Sequence, residues 1–231
     1  MPVENASVDA KIRKQLGEQG LQLVLSSLWA VDCQTCGRPL HGDVPALAIE
    51  DAISFFTASL HHPRCRRSQW NDKGALRYSG QAHLSYTCIS FILPMKVDGI
   101  PAPRAAFVVN PGLEMLFLER GPDGWALQHE APFTMAGLSS TASAPLQIDK
   151  PVSGALARLH GDEVTVSFST PPMSTYTTRV VADTRALIEQ HRGILLFATH
   201  AVNPPEARDL SHLRGVLTGD RTIGGWVGLD R

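Results

Sequence analysis

The middle of the chain alternates short apolar runs with turn-forming residues. Six such runs follow one another between residues 84 and 170: LSYTCISFILPM, RAAFVVN, LEMLFLER, GWALQHE, PLQIDKP and EVTVSFST. Turn formers such as DG, NPG, GPDG and HGDE lie between them, and this rhythm is typical of consecutive antiparallel strands. The GPDGW segment predicts a tight hairpin, because the glycine after Asp123 readily takes the positive φ of such a turn.

The N-terminal residues have a helical pattern. Residues 5–20 are polar and charged, with Ile12 and Leu16 four positions apart on one face of a short amphipathic helix that Gly17 and Gly20 end or weaken. The apolar residues 21–31, LQLVLSSLWAV, fit either a strand or a buried helix.

Helical and strand patterns alternate after residue 172. Asp183 can cap a helix through TRALIEQHRG, ILLFATHAV is a continuous apolar run typical of a central strand, and TIGGWVGL is a final strand. Between the last two, PPEARDLSHLRGVL spaces three leucines as one helix face. The patterns together predict an α+β protein: an N-terminal helix and lead-in segment (1–30), a metal-binding module (31–74), and a mainly antiparallel β-domain with C-terminal helices (75–231).

Composition narrows the class of protein. The 231 residues are 43% apolar with a formal net charge of −1, which argues against a nucleic-acid binder that works through overall positive charge. No apolar run approaches the roughly 18 residues that span a bilayer, so we expect no membrane contact. Since the first residues contain no apolar signal-peptide core, we expect a reducing cytoplasm, where close cysteine pairs are more often metal ligands than disulfides.

Four residues carry the main chemical signal. Cys33 and Cys36 form C-x2-C, and His62 and Cys65 form H-x2-C after a gap of about 25 residues. Zn²⁺ binds thiolate and imidazole tetrahedrally, so two close pairs separated by a hairpin predict one zinc ion per chain. Four protein ligands leave no place for water, which predicts a structural zinc site rather than a catalytic one.

This segment, about residues 31–70, resembles a treble-clef zinc finger of the LIM-like kind. CQTCG matches the cysteine knuckle, residues 44–60 would form the hairpin with its turn at Glu50 and Asp51, and HPRC would supply the second ligand pair from the first turn of a helix. The resemblance implies a fold and a structural zinc but no activity. It departs from a LIM domain in lacking a second set of four ligands.

Two alternatives accompany the zinc hypothesis. His61 adjoins His62 and could be the fourth ligand instead, although the two-residue spacing to Cys65 favours His62. Cys33 and Cys36 could also be a redox pair. The fourth cysteine, Cys88, is flanked by strand-like residues and is expected to be a buried spectator.

Two further segments suggest other functions. The most basic stretch could hold nucleic-acid phosphates on a helix after Cys65, with a tryptophan stacking on a base: Arg64, Arg66, Arg67, Gln69, Trp70, Lys73 and Arg77. An enzyme site could form where a buried strand ends and polar residues follow: His200, Asn203, Glu206, Asp209 and His212.

No catalytic or phosphate-loop motif stands out. The chain contains no G-x-S-x-G, H-E-x-x-H or dinucleotide fingerprint, and Gly224 and Gly225 follow a loop that lacks the Lys-Ser/Thr pair of a phosphate site. The favoured interpretation is a non-catalytic interaction or regulatory protein whose partner is another protein. The nucleic-acid and enzyme interpretations are the alternatives.

Overall fold

The computed structural model describes residues 3, 5–40, 42, 44–53, 55–74, 88–97, 99–113, 115–128, 130–142, 146–148, 150–169, 175–202, 210–219 and 222–230. For residues 131, 132, 210–212 and 214 the description is of the backbone alone. The helices are α1 (Ala10–Ser27), α2 (Ala131–Met135), α3 (Ala182–His191) and α4 (Leu210–Leu217), with a 3-10 turn at Pro111–Leu113. The strands are β1 (Ala46–Asp51), β2 (Phe56–His61), β3 (Gln69–Asn71), β4 (Cys88–Leu93), β5 (Lys96–Val97), β6 (Ile100–Pro101), β7 (Arg104–Val109), β8 (Met115–Gly121), β9 (Gly124–Leu127), β10 (Ser139–Ser140), β11 (Ala155–His160), β12 (Glu163–Phe168), β13 (Tyr176–Arg179), β14 (Gly193–Thr199) and β15 (Thr222–Gly228).

The chain forms two compact units, and each is assembled from two stretches of sequence. Unit 1 contains Met1–Ser85 and Pro111–His129, and unit 2 contains Tyr86–Asn110 and Glu130–Arg231. The predicted boundaries near residues 30 and 74 both lie within the first stretch of unit 1. None of the described helices is long and apolar enough to cross a membrane.

Unit 1 is a five-stranded sheet with α1 packed against it. The strand order is β3-β1-β2-β8-β9, antiparallel except for the parallel pair β1 and β3. Asp9 caps α1 by accepting a hydrogen bond from the backbone N–H of Lys11. The core of the unit combines the buried face of this helix, including Ile12 and Leu16, with strand residues such as Leu47 and Leu116.

Helix α1 is longer than the sequence predicted and contains a kink. It continues through residues 21–27, so the buried-helix alternative for this run is the right one and the strand alternative is wrong. Gly17 interrupts the helix with φ +66° and ψ −179°, a conformation that glycine adopts at little cost. The indole N–H of Trp125 donates to the carbonyl of Gln15, one of the carbonyls just before the interruption.

Unit 2 contains a five-stranded mixed sheet in the order β10-β15-β14-β7-β4. Its central strands β7 and β14 are parallel, and the other pairs are antiparallel. Strands β11, β12 and β13 form a separate antiparallel meander. The mainly antiparallel pairing predicted for the β-domain is therefore correct for most of its strands, and the parallel pair β7 and β14 is the departure from it.

Apolar residues cover both faces of the unit 2 sheet. Phe107 and Leu196 belong to one buried cluster, while their neighbours Val108 and Leu195 belong to a second. Successive side chains on a strand point to opposite faces, so the clusters lie on opposite sides of β7 and β14. This explains the continuous apolar run at ILLFATHAV, since β14 is buried along its whole length.

Several local predictions hold and others do not; Asp183, for example, lies in the first turn of α3 and does not cap it, because the N-cap position is Val181. The GPDGW hairpin is present as β8 and β9, with Gly124 at φ +118°, and TIGGWVGL contains β15. The hairpin of residues 44–60 is present as β1 and β2, but it turns between Asp51 and Phe56 and not at Glu50 and Asp51. The predicted helix after Cys65 is wrong, because that segment makes one turn and then enters strand β3.

Candidate metal centre

The first ligand pair lies on a tight turn that we call the knuckle, residues 33–37. The backbone N–H of Cys33 donates to the carbonyl of Arg38 at 2.9 Å, and that of Gly37 donates to the carbonyl of Cys33 at 2.8 Å. Gly37 has φ +67°, which matches the tight reversal expected at the residue after the second cysteine. The N–H of Gln34 donates to the carbonyl of Leu60, so the knuckle is fixed beside the end of β2.

The second ligand pair lies on a single turn directly after β2. The N–H groups of Cys65 and Arg66 both donate to the carbonyl of His62, at 2.9 and 3.0 Å. This turn is too short to be a helix, but it gives the two-residue spacing that brings His62 and Cys65 to one side. We call residues 62–65 the ligand turn.

The knuckle and the ligand turn bring four donor atoms together. The three Sγ atoms and one imidazole nitrogen of Cys33, Cys36, His62 and Cys65 all lie within 4.8 Å of one another. The Nδ1 atom of His62 is 3.5 Å from Sγ of Cys36 and 4.0 Å from Sγ of Cys65. Zinc bonds of the usual length place tetrahedral donors about 3.3 to 3.8 Å apart, so the cluster could hold a metal ion and its donor set fits Zn²⁺.

The hydrogen bonds around His62 suit metal binding through Nδ1. Its Nε2 atom lies 3.0 Å from the carbonyl oxygen of Pro39, and a carbonyl can only accept, so Nε2 carries the proton. Nδ1 then presents its lone pair to the sulfurs, as in metal sites where a partner on the other ring nitrogen fixes the tautomer. The backbone N–H of His62 also donates to Sγ of Cys33 at 3.3 Å.

The pKa values of the Cys36 and Cys65 thiols are shifted in opposite directions. Hydrogen bonds from the backbone N–H and the guanidinium of Arg38 lower the pKa of Cys36 to about 6. Desolvation of the Cys65 thiol and the neighbouring Cys36 and Cys33 raise its pKa to about 11. Crowded thiols cannot all ionise without a cation, and a bound Zn²⁺ would keep all three as thiolates.

His61 is not part of the donor cluster. Its Nδ1 lies 2.9 Å from Oγ1 of Thr35 and its Nε2 lies 2.9 Å from Oγ of Ser59. The side chain is buried, and burial lowers the pKa of His61 to about 4, so the ring is neutral at neutral pH. Both ring nitrogens are engaged, and the geometry favours His62 as the fourth donor.

A buried ion pair lies next to the ligand turn. Glu50 of β1 accepts hydrogen bonds from the guanidinium of Arg66 and the side-chain amide of Asn71. The Glu50 residue is 4% exposed, so its charge depends on these partners rather than on water. Sequence reasoning missed this group, because it placed Glu50 in the turn of the hairpin and not in a strand.

The basic segment around Cys65 enters strand β3 instead of forming the predicted helix. Trp70 is 8% exposed and packs against Phe56 and Trp125, so its ring is not available to stack on a nucleic-acid base. Arg66 faces the buried Glu50, whereas Arg64, Arg67 and Lys73 are exposed. Arg77 lies outside the described residues.

Little of the second predicted site falls within the described residues. His200 follows β14, and both of its ring nitrogens are shielded from solvent. Asn203, Glu206 and Asp209 lie outside the described residues, as does the side chain of His212. The fourth cysteine, Cys88, is 5% exposed in β4, and burial raises the pKa of its thiol, as expected of a spectator.

Comparisons with protein-family models, with curated proteins and with solved structures found no match to this chain. The assignment of function therefore depends on the geometry of the cluster itself.

Proposed function

We propose that unit 1 binds one structural Zn²⁺ through Cys33, Cys36, His62 and Cys65, and that the protein is a non-catalytic interaction or regulatory protein. The observation that carries the proposal is the convergence of four protein donors within 4.8 Å. Four protein ligands complete a tetrahedron and leave no open position for water or substrate. The zinc would join two short loops, and the site as a whole, with three thiolates, would carry one net negative charge.

The order of the local elements supports the treble-clef resemblance as far as Cys65. The knuckle, the β1–β2 hairpin and the ligand turn follow one another as in that family. Strand β3 then takes the place of the family's helix. Partner recognition through such a helix is therefore not part of the proposal.

Metal analysis and cobalt substitution test whether the site is zinc-binding and closed. The purified full-length protein should contain about one zinc per chain. Replacement by Co²⁺ should give the absorption of a tetrahedral, thiolate-rich site, unchanged by azide, an anion that occupies open metal positions. Absence of metal would contradict the zinc site. A cobalt spectrum that changes with azide would reveal an open position and favour catalysis.

The interaction role predicts a protein partner whose binding depends on the loaded metal site. Cross-linking in a lysate should give an adduct with the wild-type chain and with Cys88→Ser, but not with Cys36→Ser. An adduct that forms equally with Cys36→Ser would separate the partner surface from the zinc module and contradict this role for it.

Nucleic-acid binding remains a prediction based on the exposed Arg64, Arg67 and Lys73. Three phosphate contacts on duplex DNA predict a log–log salt slope of about −2.7. A gel shift with mixed DNA and RNA at low salt measures this. Absence of a mobility shift of the nucleic acid at micromolar protein concentration would contradict the hypothesis.

A further inference from the structure

We infer that two buried polar links position the two ligand pairs for the metal, one through His61 and the other through Glu50. The inference rests on the proposed zinc site. Neither residue belongs to the donor cluster, so both are positioning residues that act through the loops carrying the ligands.

The first link ties the knuckle to strand β2. Thr35 lies between Cys33 and Cys36, and its hydroxyl is hydrogen-bonded to Nδ1 of His61. Nε2 of the same ring is hydrogen-bonded to Ser59, also on β2. A neutral imidazole has one nitrogen that donates a hydrogen bond and one that accepts. A hydroxyl group can donate or accept, so the hydrogen bonds to Thr35 and Ser59 form in both tautomers of His61. His61 is 3% exposed, which keeps water from replacing these bonds.

The second link ties the ligand turn to strands β1 and β3. Arg66 directly follows Cys65, and its guanidinium pairs with the carboxylate of Glu50 on β1. The second carboxylate oxygen accepts from Asn71 on β3. Movement of the Arg66 side chain away from Glu50 would leave a poorly solvated buried charge. Arg66 is therefore strongly restrained, and so is Cys65, the residue before it.

Both links end on the same β-hairpin. Glu50 lies on β1 and His61 on β2, and these strands pair antiparallel along their whole length. The knuckle and the ligand turn are therefore each held against one rigid pair of strands. This preorganises the donors before the metal arrives, and loss of such supporting groups typically weakens metal affinity about 10- to 100-fold.

The alternative is that the links stabilise only the fold, and matched variants of the full-length protein separate the two. Thr35→Val removes the hydroxyl but keeps the shape, whereas Thr35→Ser keeps the hydroxyl. Glu50→Gln removes the buried charge, and Glu18→Gln on the exposed part of α1 is its control. For each variant, zinc affinity is measured by chelator competition, the cobalt spectrum is recorded, and the thermal midpoint of the metal-free protein is measured.

We expect Thr35→Val and Glu50→Gln to bind zinc about 10-fold or more weakly and to alter the cobalt spectrum. Thr35→Ser and Glu18→Gln should behave like the wild type. The inference would be overturned, with the zinc site left intact, if Thr35→Val and Glu50→Gln both kept the wild-type zinc affinity and cobalt spectrum. It would also be overturned if these variants lowered the thermal midpoint of the metal-free protein but left zinc affinity unchanged. Failure of the wild type to bind zinc would overturn both proposals. If Glu50→Gln does not fold, the Thr35 pair decides.

Discussion

The core of unit 2 and the two ligand-bearing loops of unit 1 are held by different means. In unit 2 the central strands β7 and β14 are buried on both faces by two apolar clusters. In unit 1 one apolar cluster lies between α1 and the sheet; Cys33 of the knuckle belongs to it, whereas Cys36 and Cys65 are only partly buried and pack against it. Apolar burial stabilises unit 2, whereas these loops of unit 1 combine polar links with a site that could hold a metal.

The difference shows where a metal has the most effect. Apolar burial contributes about 25 cal/mol per Å², and a loop of about four or five residues cannot bury enough surface to offset its own ordering entropy. A metal that binds only the folded arrangement stabilises it in proportion to its affinity. Zinc removal should therefore affect one region of unit 1 strongly and unit 2 little.

The largest effect is expected from Cys36→Ser. Loss of one of four ligands should reduce zinc from about one per chain to nearly none. If free zinc is about a thousand times its dissociation constant, the lost stabilisation is about 4 kcal/mol. Hydrogen exchange followed by mass spectrometry should show faster exchange in the knuckle and ligand turn, where Cys33 and Cys65 donate their amide hydrogens, and little change in β7 and β14.

Cys88→Ser is the control for this experiment, because Cys88 lies in β4 outside the donor cluster. It should retain full zinc. Equal loss of protection in both units after Cys36→Ser would show that the proposed regional difference does not exist.

A core truncation in unit 2 should give the reverse pattern. Phe107 is fully buried in β7, and Phe→Ala in a core typically costs about 3 to 5 kcal/mol. Phe107→Ala should lower the free energy of unfolding by this amount in urea denaturation, while zinc content stays at the wild-type value. Zinc loss in this variant would mean that the metal site depends on unit 2 as well.

The sequence predicted elements whose signal is local. The spacing of the four ligands predicted the cluster, because each pair lies within three or four residues and needs only a short turn. The Asp123–Gly124 turn and the buried run of β14 were also readable, since each depends on residues adjacent in the chain. The positive φ of Gly37 was readable in the same way, because this glycine directly follows Cys36 in the chain.

Other features depended on distant partners. Residues 21–27 were ambiguous because a short and mostly apolar run has no distinct period, and the burial of Leu21 and Val24 in the core of unit 1 is visible only in the structure. The HPRC segment was expected to begin a helix, but pairing of β3 with β1 makes the chain extended soon after Cys65. Glu50 and Arg66 are 16 positions apart, and no pattern relates them.

The smallest effects are expected from two helix glycines, one in each unit, for which the same substitution should have opposite signs. In α4, a Cβ on Gly215 would meet nothing within 4 Å, so Gly215→Ala should gain about 0.5 to 1 kcal/mol from helix propensity and reduced freedom of the unfolded chain.

In α1, a Cβ on Gly20 would lie 2.7 Å from Cδ1 of Trp125. That ring cannot move easily, because its N–H is bonded to Gln15 and its edge packs on Phe56. Overpacking of about 1 to 3 kcal/mol should outweigh the gain in propensity. Urea denaturation of both variants measures the signs, and a stabilising Gly20→Ala would refute the close contact of α1 with Trp125.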